Sequence, residues 1–239
     1  MCLLLVETSK AVSPLLQEDF DNARDANPHG FGIAWVNKSG RVVSSKFTRG
    51  DPYKSYLHAR KVQREGTPIV MHWRWATHGD KVAELCHPFA ICKGSVSLFH
   101  NGILPEPTNG RRESDTSVFA RRYRLSTPEW VFSDQWAEGT TTFIGSWNKI
   151  ALLGPNGTLR ILNENAGEWD EGRWHSNDAM LRPQRRIRWK REDTCRSNVS
   201  KPVIWRGIHT LEDHANAYSN EFFTCKSCGG VLYGGECPI

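Results

Sequence analysis

Several short segments of this chain are apolar on consecutive residues rather than on alternate ones. Leu3-Leu4-Leu5-Val6, Phe31-Gly32-Ile33-Ala34-Trp35-Val36, Ile69-Val70-Met71 and Ile150-Ala151-Leu152-Leu153 offer no polar face to water. A strand of this kind must be covered on both sides, so it belongs to a sheet held between other layers. Strands are expected over 2–6, 31–36, 41–46, 69–75, 95–100, 144–153 and 158–162. Two hairpins are expected, one across Asn37-Lys38-Ser39-Gly40 and one across Gly154-Pro155-Asn156-Gly157. Helical spacing marks 53–65 and 114–123, and Ser13 followed by Pro14 reads as an N-cap and first turn of another helix. The tally describes an α+β chain with no internal repeat.

Composition narrows the class. With 38% hydrophobic residues, 24% charged residues and 10 Trp, the 239 residues can bury a core and do not read as disordered. No run approaches the roughly 18 apolar residues of a membrane helix. The opening Met1-Cys2-Leu3-Leu4-Leu5-Val6-Glu7 lacks the basic start of a secretory signal, so the cytoplasm is the default location. Seven cysteines form an odd set, which favours reactive or metal-binding thiols over a disulfide framework. The net charge of +5 is uneven: nine Lys/Arg against two acids fall between Leu181 and Arg206. A domain boundary is therefore placed at 180/181.

Cys2 directly follows the initiator Met. Removal of Met1 would set its thiol beside a free α-amino group, whose pKa of about 7.7–8.0 lets it take a proton near neutrality. Three other segments carry chemistry of their own. Arg74, between Trp73 and Trp75, can meet a carboxylate with two parallel hydrogen bonds, or it can be a core-edge Arg stacked on Trp. Asn101-Gly102 offers an amide and a backbone N–H, the two donors of an oxyanion hole, although the same dipeptide makes tight turns. Asp115, at the start of a helix, can receive an ammonium group or serve as a cap.

In this order, MC at the start, HGFGIAW at 29–35, HWRWATHG at 72–79, HPF at 87–89, HNGI at 100–103 and SDT at 114–116 resemble the class II glutamine amidotransferases of the N-terminal-nucleophile hydrolases. The resemblance covers about residues 2–180. It implies a four-layer αββα sandwich followed by a small cysteine-containing appendage over 181–239. It implies that Cys2 attacks the side-chain amide of glutamine, with its own α-amino group as base and then acid. Asn101 and Gly102 would hold the oxyanion, Arg74 the α-carboxylate and Asp115 the α-amino group. Trp75, Thr77 and His78 would line the pocket, and Gly30 and Gly32 would let backbone pass close to the nucleophile. Leu3 and Ser117 depart from the commonest form of the motifs, and Leu3 is more like the compact stand-alone branch.

The chemistry fits elementary requirements. An amide nitrogen leaves only when protonated, so a base that returns its proton is needed. Asparagine, one methylene shorter, would place its amide away from Cys2. No cofactor is implied for glutamine hydrolysis. The segment 181–239 is too short for a synthetase module, so the ammonia is expected to pass to an acceptor on a separate partner enzyme. Cys225-Lys226-Ser227-Cys228-Gly229-Gly230 resembles a zinc knuckle, with Cys237 as a third thiolate and Cys195, His209 or His214 as the fourth ligand. Residues 182–191 are basic around Trp189 and suit an acidic partner protein, with nucleic acid as the alternative ligand. A second reading makes the whole chain a non-catalytic scaffold that binds nucleic acid or a protein through this tail.

Overall fold

The computed structural model describes residues 2–108 and 110–180. The basic segment 182–191 and the proposed zinc ligands Cys225, Cys228 and Cys237 lie outside the described residues. Ten strands and five helices are arranged as two antiparallel sheets. The first contains β1 (Leu3–Glu7), β2 (Phe31–Val36), β3 (Val42–Phe47), β4 (Ile69–Trp73), β9 (Glu168–Asp170) and β10 (Arg173–His175). Their order is β3-β2-β4-β1-β10-β9. The second contains β5 (Phe89–Ile91), β6 (Val96–Asn101), β7 (Lys149–Leu153) and β8 (Leu159–Leu162), in the order β5-β6-β7-β8.

The expected four layers are present, and strand alternation explains them. Leu3 and Leu5 point outward, with Ile33, Met71 and Trp73, onto Phe20 and Ala23 of α1 (Gln17–Ala26) and Tyr56 and Ala59 of α2 (Pro52–Val62). Leu4 and Val6 point the other way, with Val70 and Trp174, onto Phe99, Ala151 and Leu153 of the second sheet. The outer face of that sheet, including Leu98, Ile150 and Leu152, packs on Phe119 of α3 (Asp115–Arg122), Val131 of α4 (Pro128–Val131) and Trp136 of α5 (Asp134–Ile144). Both faces of the central strands are thus buried, as their apolar runs require.

Both hairpins form, pairing Val36 with Val42 and Leu153 with Leu159. Three expectations are corrected. The first helix begins at Gln17, not Pro14, and Ser13 does not cap it. The carbonyl of Ser13 instead accepts from the guanidinia of Arg60 and Arg173, and the Leu15 N–H donates to the Tyr56 hydroxyl at 2.8 Å. Those groups are therefore withheld from a helical turn. Residues 144–148 are not strand: α5 ends at Ile144, and Gly145 turns the chain with φ +70°. The strands β5, β9 and β10 have three residues each and gave no pattern in the sequence.

The far end of β1 is clasped by Glu7, which is 3% exposed. Its carboxylate accepts from Arg173 Nε, Arg60 Nη1 and the Tyr56 hydroxyl, each at 2.8 Å. One buried anion thereby ties β1 to β10 and α2. Removing it strands two guanidinia, a loss of about 3–5 kcal/mol for a broken buried pair. Glu7→Ala is expected to lower the unfolding free energy by that amount in a denaturant titration.

Candidate active site

β1 delivers Cys2 to the open end of the two sheets. The strand pairs with β4 on one side and β10 on the other, so its position has no freedom to slide. The Cys2 Sγ lies 3.2 Å from the Trp75 N–H, which donates to it, and 3.3 Å from the Trp75 carbonyl. Asn177 Nδ2 donates to the Cys2 carbonyl at 2.6 Å. Burial pushes the thiol pKa up, and the Trp75 N–H works against that shift. The resting thiol is therefore protonated at neutral pH and needs a base to become a nucleophile.

A cavity of about 30 Å³ beside Cys2 is lined by Arg74, Trp75, Thr77, His78, Gly102 and Asp115, with His87, His100, Ser114 and Thr116 completing its walls. Seven of the eight expected site residues thus meet at one place although they span 114 positions of sequence. Arg74 is buried, and its Nη1 and Nη2 donate to the carbonyls of Asp80 and His78 at 2.8 and 2.9 Å. These bonds fold the segment after β4 back over the guanidinium. The guanidinium also faces the Cys86 thiol, and with five N–H donors in all it can still meet a carboxylate. His29 supports the same segment by accepting the Ala76 N–H at 2.9 Å.

Asp115 does not cap its helix. Ser114 and Ser117 form the cap reciprocally, with Ser114 Oγ accepting from the Ser117 N–H and Ser117 Oγ from the Ser114 N–H. The Asp115 carboxylate is left to accept the Leu104 and Thr116 N–H groups, both at 2.7 Å. The Thr116 hydroxyl lies 3.3 Å from its Oδ1, and Asp115 is among the residues lining the cavity.

Asn101 is the residue that the fold places differently. Its side chain does not line the cavity; Nδ2 donates to Ser176 Oγ at 2.7 Å, across the gap between the sheets. The Leu4 N–H donates to the same Ser176 oxygen at 2.9 Å. Ser176 therefore joins the nucleophile's strand to the asparagine. No motif marked Ser176 or Asn177, which follow a three-residue strand late in the chain. A wider cleft, about 360 Å³, is lined by Asn165, Glu168, Asp170 and His175 among others, together with Ser176 and Asn177, which bond to β1 and to Cys2. Gly30 and Gly32 were expected to clear the nucleophile. The atoms that crowd them are Cys86 Sγ and the His87 carbonyl, the latter 1.6 Å from where a Gly32 Cβ would stand. Those glycines admit the 86–87 segment instead.

Three histidines surround the site from the inside. The rings of His72 and His87 lie 3.9 Å apart, and His87 and His100 6.4 Å apart. Burial lowers all three pKa values, that of His72 to about 3. They are neutral when folded, whereas an unfolded His takes a proton below about pH 6.5. The unfolded chain then binds more protons, so stability falls as pH drops from about 6.5 toward 3. His72 alone contributes about 1.4 kcal/mol per pH unit in that window, and thermal unfolding between pH 7 and pH 5 should record a steep loss. A second measurement concerns Ser176. If Asn101 Nδ2 serves a transition-state oxyanion, Ser176→Ala should lower the kcat of that reaction more than it raises KM.

No protein-family model matches the chain. It is 49% identical over 62 residues to a glutamine–fructose-6-phosphate aminotransferase of Methanothermobacter thermautotrophicus, covering 26% of this chain and 10% of that protein. It is 26% identical over 153 residues to the protein of the same name from Chlorobaculum tepidum, covering 63% of this chain and 23% of that one. The chain thus spans less than a quarter of the length of these relatives. Among solved structures, the glutamine phosphoribosylpyrophosphate amidotransferase of B. subtilis matches with a TM-score of 0.45 and 12% identity, over 76% of this chain and 43% of that one. In the order of its motifs and in these sequence relatives, the chain is similar to the glutamine-using domain of glutamine-dependent aminotransferases.

Proposed function

We propose that this chain hydrolyses the side-chain amide of glutamine to glutamate and ammonia at Cys2, and that the ammonia passes to an acceptor on a separate enzyme. The observation that carries the reading is the meeting of a thiol, a buried guanidinium, a glycine N–H and a buried carboxylate around one cavity. A free α-amino acid presents an anion and a cation at one end and an amide at the other. Arg74 and Asp115 suit the two charges, and Cys2 with Gly102 suits the amide. A peptide lacks the free head group and would leave Arg74 and Asp115 without counter-charges.

After loss of Met1, the α-amino group of Cys2 takes the thiol proton as sulfur attacks the amide carbon. The oxyanion receives the Gly102 N–H, and the second Nδ2 hydrogen of Asn101, the one not given to Ser176, joins it once the amide turns toward the cavity. The ammonium so formed returns its proton to the leaving nitrogen, releasing ammonia and a thioester. Water, deprotonated by the same amine, then frees glutamate. A carboxylate on Arg74 competes with the His78 and Asp80 carbonyls that the guanidinium now holds.

Wild-type protein should release glutamate from glutamine and Cys2→Ala should not; persistence of activity in Cys2→Ala sinks the mechanism. Arg74→Ala should raise KM for glutamine roughly 10- to 100-fold, the worth of a charge-assisted hydrogen-bond pair. Intact-mass analysis should find the chain without Met1, since a retained Met1 blocks the base and favours a non-catalytic scaffold. For the segment 181–239 we keep Cys225, Cys228 and Cys237 as zinc ligands. About one equivalent of zinc per chain is expected by metal analysis, and freely alkylated Cys225 and Cys228 would contradict it.

A further inference from the structure

The loop before β7 supplies a residue that stands behind the cavity and touches two of its lining residues, His100 and Gly102. Asn148 is buried, and its Nδ2 donates to the Ile144 carbonyl at 2.6 Å. A carbonyl can only accept, so the other end of the amide, Oδ1, is the end that faces His100 Nε2 at 2.9 Å. That oxygen can only accept as well, so the His100 proton resides on Nε2. Burial keeps the ring neutral. His100 Nδ1 is then an acceptor, and the Thr116 hydroxyl, 2.8 Å away, must donate to it. The Thr116 hydroxyl also has Asp115 Oδ1 within donating distance at 3.3 Å; its single hydrogen goes to the shorter contact with His100 Nδ1, which leaves lone pairs beside the carboxylate. Two acceptors side by side match the three N–H donors of an ammonium group. The same Asn148 amide packs flat on Gly102, whose φ is +144° and where a Cβ would stand 2.1 Å from Asn148 Oδ1.

We infer that Asn148 is a positioning residue of the amidotransferase site: through His100 it fixes the Thr116 hydroxyl as an acceptor for the substrate ammonium, and by contact it seats the Gly102 N–H of the oxyanion hole. The inference rests on the glutamine reading for its substrate, but the hydrogen-bond order stands on the geometry alone. Around His100, Asp115 on α3 and Asn148 favour the protonated ring, while Lys149 on β7 and burial oppose it, with the His72 and His87 rings beyond.

The test has two arms. In wild-type protein labelled with 15N at histidine, His100 should show a neutral ring protonated at Nε2 at pH 7. A neutral ring protonated at Nδ1, or a charged ring, overturns the relay whether or not the protein is active. In glutamine hydrolysis, Asn148→Ala and Thr116→Val should each raise KM about tenfold, and the double variant should raise it no further than the larger single effect. Independent effects, multiplying to about 100-fold, would also overturn it. Asn148→Asp keeps the acceptor and adds a charge beside His100. It should add a second ionisation to the acid limb of kcat/KM that the α-amino base already gives the wild type, as protonation of Nδ1 turns Thr116 around. An unchanged profile counts against the relay. Absence of glutamate release by the wild type refutes the glutaminase reading only, since the tautomer is read separately.

Discussion

The site depends on one strand being unable to move. β1 is hydrogen-bonded on both edges and buried on both faces, between helices on one side and a second sheet on the other. A nucleophile at the head of such a strand inherits its rigidity. The Glu7 clasp at the opposite end anchors it against α2 and β10. Every other group is then positioned relative to a fixed thiol: Trp75 through its backbone, Asn177 through the Cys2 carbonyl, and Asn101 through Ser176.

The two sheets divide the labour. The first carries the Cys2 thiol at the head of β1 and the guanidinium just past β4. The second carries Asn101 and Gly102 at the end of β6 and, through α3, the carboxylate. Sequence-distant groups can converge because both sheets present the same end to solvent. Glycines make the approach close enough. A side chain at position 32 would collide with the His87 backbone, and one at position 102 with Asn148. The buried histidines between and beneath these elements stay neutral, which keeps the donor and acceptor order around Thr116 fixed at physiological pH.

Much of this was legible in the chain. The consecutive apolar residues of β1, β2, β4 and β7 implied sheets covered on both faces, and the hairpin turns fixed two registers. The order of the motifs alone already groups Cys2, Arg74, Gly102 and Asp115. Other features were hidden for physical reasons. The helix α5 carries Gly139 and three threonines, poor helix formers, and only its buried Trp136, Ala137, Thr140 and Ile144 betray a helical face. The three-residue strands β9 and β10 are too short for any periodicity to register, so the residues that follow them looked like the fraying edge of a domain.

Residue type and spacing therefore determined which chemical groups the protein possesses and in what order the chain presents them. Tertiary structure decided which of those groups face the cavity and what each is bonded to when empty. Asp115 is an acceptor rather than a cap because Ser117 completes the cap in its place, and Asn101 turns to Ser176 because the sheets meet there. Hydrogen bonds between residues such as Asn101 and Ser176, 75 positions apart, leave no periodic trace in a sequence. They exist only once the packing of apolar faces has brought the two sheets together.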